Sequence, residues 1–269
     1  MLYLLPLCAA VLFAQGPRGG GFGPGGFGGF GGFGGRGLGL LGAGPRTPVT
    51  GLPYSGTETL TTQQTLSTGN TIARTLQATV ARDTYGRVST SETITPPAAS
   101  GKAPYTIQTI FDPVAGYRYQ LNSSTMIAIQ SPLPKPPTGT PPPPRTPPAG
   151  ANAPVRTTTT LGTGTMINGV PANGTQITET IPTGAIGNAQ PIQVVRTTWV
   201  STDLMIPVQI KTSDPRFGSS DLEVTVVPGE PNTPIAVPAG YTIKQGGWGA
   251  GGPSGSARRR ARPGGQPAQ

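Results

Sequence analysis

Any chemistry in this chain has to come from carboxylates, Lys, Tyr, Ser or Thr. It contains no histidine and one cysteine, Cys8, among 269 residues. That composition excludes imidazole general acid–base catalysis, a Ser-His-Asp triad and a His-ligated zinc site. It also excludes an intramolecular disulfide and a Cys-cluster metal site. The obvious carboxylates are Asp83, Asp112 and Asp214, each in a turn that also contains glycine. An Asp that bonds its own turn backbone has a sufficient structural role. Glu58, Glu92, Glu179 and Glu223 read as single acids on polar strand faces. There is no D-x-D-x-D-G run, no G-x-S-x-G and no P-loop, so no catalytic residue, metal ligand or cofactor site is expected. A G-x-G-x-x-G match at Gly21, Gly23 and Gly26 lies inside a glycine tract with no strand before it, which empties it of meaning. One group could recognise a partner. Trp199, Asp214 and Arg216 combine residue types enriched in binding hot spots. The competing reading is a packing Trp and a turn Arg paired with Asp214.

These residues need strands to position them. Threonine-rich stretches raise β propensity. Residues 57–66 read as a polar strand, and Ser67-Thr-Gly-Asn70 as a turn. In residues 71–82, Ile72, Leu76 and Val80 fit one face of a helix or of a strand; Thr71, Thr75 and Thr79 favour the strand. Further strands are expected at 87–95, 105–111, 117–121 and 126–130. Asp112-Pro-Val-Ala-Gly116 joins the strands 105–111 and 117–121, with Pro fixing φ at one corner and Gly tolerating positive φ at another. After Val155, residues 175–181, 191–201, 204–212 and 220–227 read as strands, with a short one ending at Lys244. Leu204, Ile206, Val208 and Ile210 fall on one face, and Met205, Gln209 and Lys211 on the other. Ser213-Asp-Pro-Arg-Phe-Gly218 repeats the chemistry of the Asp112 turn.

The remainder is low in complexity. Gly (42) and Pro (33) exceed a quarter of the chain, and hydrophobic residues make up 34%, too few for one packed core throughout. Residues 1–14 are apolar and uncharged. Such a run is shorter than the about 20 residues a membrane-spanning helix needs and fits a signal peptide cleaved between Ala14 and Gln15. The Gly-rich tract 15–50 punctuated by Phe, and the tail 246–269 with Arg258, Arg259, Arg260 and Arg262, read as disordered. The net charge of +9 belongs largely to these ends. The middle lacks the dense basic face of a nucleic-acid binder. The basic tail could hold anionic lipid or a polyanionic envelope polymer, or be a solvated tail. Between Ser131 and Pro154, Pro is too frequent for a sheet, which predicts a polyproline II spacer or a surface excursion.

Ile181-Pro-Thr-Gly-Ala-Ile-Gly-Asn188, Trp199-Val-Ser-Thr-Asp-Leu204, Ser213-Asp-Pro-Arg-Phe-Gly218 and Val237-Pro-Ala-Gly-Tyr241 resemble a pattern in uncharacterised secreted proteins of acidobacterial type. Arg82-Asp-Thr-Tyr-Gly-Arg87 and Ile110-Phe-Asp-Pro-Val-Ala-Gly116 resemble its N-terminal half. More distantly, the strand order is similar to the lipoprotein-carrier half-barrel, an open curved antiparallel sheet with an apolar concave face plugged by helices. This sequence offers no such helix. The apolar N-terminus, the strand pattern and the lack of catalytic motifs together lead to the expectation of a periplasmic or secreted, all-β, non-catalytic protein. Its β-rich domain covers residues 51–245 and is interrupted by the loop 131–154. Two functions stand: a carrier whose sheet binds an apolar or amphipathic envelope ligand, or a structural envelope protein whose Gly- and Arg-rich tails adhere. The two β segments are expected to form one sheet, because each alone is too small to supply a core without disulfides or metals.

Overall fold

The computed structural model describes residues 48–134 and 153–246. These hold twelve strands: β1 Tyr54–Thr65, β2 Thr71–Arg82, β3 Val88–Ile94, β4 Tyr105–Asp112, β5 Tyr117–Asn122, β6 Ile127–Pro132, β7 Val155–Ile167, β8 Val170–Ile181, β9 Ile192–Ser201, β10 Pro207–Asp214, β11 Gly218–Pro228 and β12 Thr242–Gln245. All twelve belong to one open curved sheet, in the order β12-β6-β5-β4-β3-β2-β1-β11-β10-β9-β8-β7. The single sheet expected from the two small segments is therefore what forms.

Turn chemistry sets the hairpins. Leu66 and Asn70 close the β1–β2 turn, with Gly69 at φ 82°. Asp112 accepts at its backbone oxygen from the Gly116 amide at 3.0 Å, and its Oδ1 accepts from Val114 and Ala115. Asn168-Gly169 joins β7 to β8 with both residues at positive φ. That is the geometry of a two-residue hairpin turn whose twist matches its strands.

The connectivity is a pair of meanders meeting in the middle. β1 to β6 step outward in one direction. β7 starts at the opposite edge, and β8 to β11 step back until β11 pairs with β1 through ten cross-strand pairs, from Tyr54–Pro228 to Gln63–Ser219. The chain between Pro132 and Val155 thus links a strand beside one edge to the strand at the other. Ten interstrand steps of about 4.8 Å lie between them on a flat sheet, and 22 residues at about 3.1 Å each reach about 68 Å. The polyproline II expectation itself concerns residues outside the described ones. So do the expectations for residues 1–47 and 247–269, including Ala14, Gln15 and the arginines 258–262.

Three expectations need correction. The sheet is not antiparallel throughout, because β12 runs parallel to β6. To get there, residues 229–241 cross one face of the sheet, burying Ile235 with Val237 and Tyr241 against Ile110, Leu121 and Ala128. A strand that crosses a sheet face before pairing arrives without the reversal that a hairpin imposes. Second, residues 155–167 form a strand, β7, for which the sequence shows no apolar alternation. As an edge strand it is mostly exposed, and pairing with β8 is enough to hold it. Third, residues 204–206 are a tight corner rather than the start of a strand. The Ser201 amide donates to the Ile206 carbonyl at 2.8 Å, and Met205 has φ 55°. The expected burial survives: Leu204, Ile206, Val208 and Ile210 are buried, while Met205 is 63% exposed.

Candidate functional site

The register defines two faces. One carries Tyr54, Gly56, Glu58 and Leu60 of β1, with Arg82, Val80, Ala78 and Leu76 opposite on β2 and Pro228, Val226, Val224 and Leu222 opposite on β11. The strap 229–241 covers the other face of β2 to β6, which carries Ala81, Ile110 and Leu121.

The first face is closed at one end. Tyr54, Val80, Val208, Val224 and Val226 pack there with Leu204 and Ile206 of the β9–β10 corner. Arg82 is buried and locks this end. Its Nε and Nη2 donate to the Leu52 carbonyl at 2.9 and 2.6 Å, and Nη2 also donates to the Leu204 carbonyl at 2.6 Å. Its guanidinium lies 4.9 Å from the centre of the Tyr54 ring. Burial pushes the Tyr54 hydroxyl up to about 12, against the opposing pull of Arg82. Asn168 ties the β7–β8 turn to the same end, donating to the carbonyls of Val208 and Val224.

Toward the other end the face opens. Ala78, Ile210 and Leu222 are buried, Leu60 and Leu76 pack half-buried against them, and Ile72 is 46% exposed. One residue row beyond Leu60 and Leu76 the composition turns polar, with Arg74, Thr62, Ser220, Thr212 and Arg196 aligned across five strands. Among the described residues no α-helix and no second sheet lies on this face.

Glu58 sits where the closed and open parts meet. It is 0% exposed, and neither carboxylate oxygen has a hydrogen-bond partner among the described residues. Its cross-strand neighbours are Val224 and Ala78. Glu92 lies beyond Ala78 on the same face. Burial pushes the Glu58 carboxyl up to about 7, and the nearby charge of Glu92 pushes in the same direction. Burial raises Glu92 as well. The expectation of a lone acid on a polar face is overturned for Glu58. The period of two that joins it to Tyr54 and Leu60 was the available signal.

The Trp199, Asp214 and Arg216 group is not brought together. Trp199 pairs with Gln209, on the face opposite that of Ile210 and Asp214. Asp214 lies five residue steps along β10 from Gln209, about 17 Å at strand rise. Trp199 instead lies over the backbone of Gly174 and Gly162, and packs against the main core. Arg216 pairs with Asp214 at 2.6 Å in the turn, and that bonding lowers the Asp214 carboxyl below its ordinary range. Asp83 likewise accepts from the amides of Tyr85 and Arg87 and pairs with the Arg87 side chain. All three turn aspartates thus bond their own turns. A hydroxyl-lined open groove of about 370 Å³, with Thr61, Thr197, Ser213, Ser219 and the Lys211–Asp221 pair, lies on the face opposite Glu58.

No family model matches the sequence, and no curated protein matches it. The resemblance to secreted proteins of acidobacterial type gains no support there. A solved structure to which the chain is similar is a LolA superfamily protein from Nitrosomonas europaea. It is 11% identical over 70% of this chain and 90% of that one, with a TM-score of 0.28.

Proposed function

We infer that this is a non-catalytic, exported protein whose open sheet face binds an apolar or amphipathic envelope ligand. One observation carries the reading: a continuous apolar band on a single-layer sheet. It runs from buried Val224 and Ala78 to buried Leu222 and Ile210 and half-buried Leu60 and Leu76, and no described helix or second sheet covers it. A sheet face of this composition gains from burial, at about 25 cal/mol per Å² of apolar surface removed from water. An acyl or similar chain lying along the band supplies that burial.

Export rests on the apolar N-terminus; no helix among the described residues is long and apolar enough to cross a membrane. The test is organic extraction of the purified full-length protein followed by mass spectrometry. Stoichiometric co-purified lipid is the expected outcome. A clean protein that also takes up no added amphiphile overturns the reading and leaves the adhesive structural role.

A further inference from the structure

We propose that Glu58 and Glu92 form a headgroup site on this face, and that the ligand they take is a protonated primary amine on an apolar chain. The proposal rests on the face being ligand-binding, and specifies the ligand's chemistry. A carboxylate wholly out of water and without a donor is costly unless something supplies one. Glu58 has no donor among the described residues, and Arg82, the buried cation of the same face, directs its Nε and Nη2 donors to the Leu52 and Leu204 carbonyls. Ala78 of β2 places only a methyl between Glu58 of β1 and Glu92 of β3, so the two acids stand in one cross-strand row on the same face.

An ammonium has three donors and a compact charge, which suits two carboxylates at once. Its chain then follows Leu60, Leu76, Leu222 and Ile210 toward the open end. The groups facing Glu58 are consistent with this. β3 presents Glu92, and β10 and β11 present Val208 and Val224. Tyr54 and Arg82 lie two residue rows further toward the closed end, and Arg74 and Arg196 two residue rows further toward the open end, about 13 Å along the strands in each direction. Glu58 is near half-ionised at neutral pH. Binding an ammonium requires the ionised form, so the carboxyl proton is released to solvent as the ligand enters.

Isothermal titration of the full-length, extracted chain with dodecylamine, dodecanol and dodecanoate below micellar concentrations tests this. Dodecylamine should bind at least about tenfold more tightly than the other two. At pH 6 its binding should release a proton, seen as a dependence of the heat on buffer ionisation enthalpy. Glu58→Gln should remove both effects. Should that variant fail to fold, Glu92→Gln, at a half-buried position, should weaken only the amine, and the wild-type proton release is measured without any variant. Equal affinity for the three chains overturns the amine site alone, as does an amine preference without proton release. Binding of none of them overturns both this site and the function it rests on.

Discussion

Glu58 makes the stability of the protein depend on pH in an unusual direction. Its folded-state value of about 7 lies above the ordinary carboxylate value, because burial disfavours the charge. The folded state therefore holds a proton that the unfolded state gives up. Stability contributed by the neutral form is present in full below about pH 4.5 and is lost as pH rises through about 7. The shift corresponds to about 3 kcal/mol. Thermal melts of wild type and Glu58→Gln should diverge across this window, with the variant the more stable above pH 7.5. Parallel melting curves at pH 4.5 and 8 would show that Glu58 is not held neutral. At the closed end, Arg82→Met should cost about 3 kcal/mol, because the carbonyls of Leu52 and Leu204 lose a buried charged donor. Urea denaturation at pH 7 measures it, and a loss below about 1 kcal/mol would contradict the locking role.

At the scale of elements, two glycines let strands approach what lies over them. A Cβ at Gly174 would stand 2.6 Å from the ring of Trp199, the residue directly across the β8–β9 pair. Gly174→Ala should destabilise by about 2 kcal/mol by overpacking, and adding Trp199→Leu should recover part of that loss. Additive losses in the double variant would place the Trp199 ring elsewhere. A Cβ at Gly56 would meet the Thr225 carbonyl of β11 and the Val226 side chain, so this position guards the pairing of the two halves.

Much of this level was legible beforehand. The strand at 71–82 follows from its threonines, and the Asp112 and Asp214 turns from their Pro and Gly. β7 was not, because an edge strand has no buried face and leaves no alternation in Thr157–Thr160; the Asn168-Gly169 pair between Ile167 and Val170 was the sign that pointed to it. The candidate site was hidden for a related reason. Glu58 stands among Thr and Gln, which look like solvent-facing neighbours. Only the partners on β2 and β11 make its surroundings apolar, and pairing across more than a hundred residues is not written in local pattern. The Trp199 group failed for the opposite reason: closeness in residue type suggested a cluster that the pleat separates.

For the whole molecule, one sheet built from two segments predicts mutual dependence. Fragments 50–130 and 155–245 should each aggregate or stay unfolded alone, since each would leave a long flank of β1 or β11 unpaired. Mixed in mild denaturant and dialysed together, they should recover β-sheet circular dichroism and co-elute. A cooperative melt from either fragment alone would mean two domains. Export makes a separate claim at this scale: N-terminal sequencing of the cellular protein should begin at Gln15, and an intact Met1 would count against it.

The seam between β1 and β11 also has a consequence in time. Leu60 finds one neighbour, Leu76, almost at once, but its other neighbour is Leu222. That partner leaves the ribosome about 160 residues later, which at about 5–20 residues per second is on the order of 10 s. During that interval the most central strand of the finished sheet is the outermost strand of the nascent one. That delay postpones closure of the sheet until the second segment has been synthesised. It also leaves β1 as the point where a holding chaperone has most to protect.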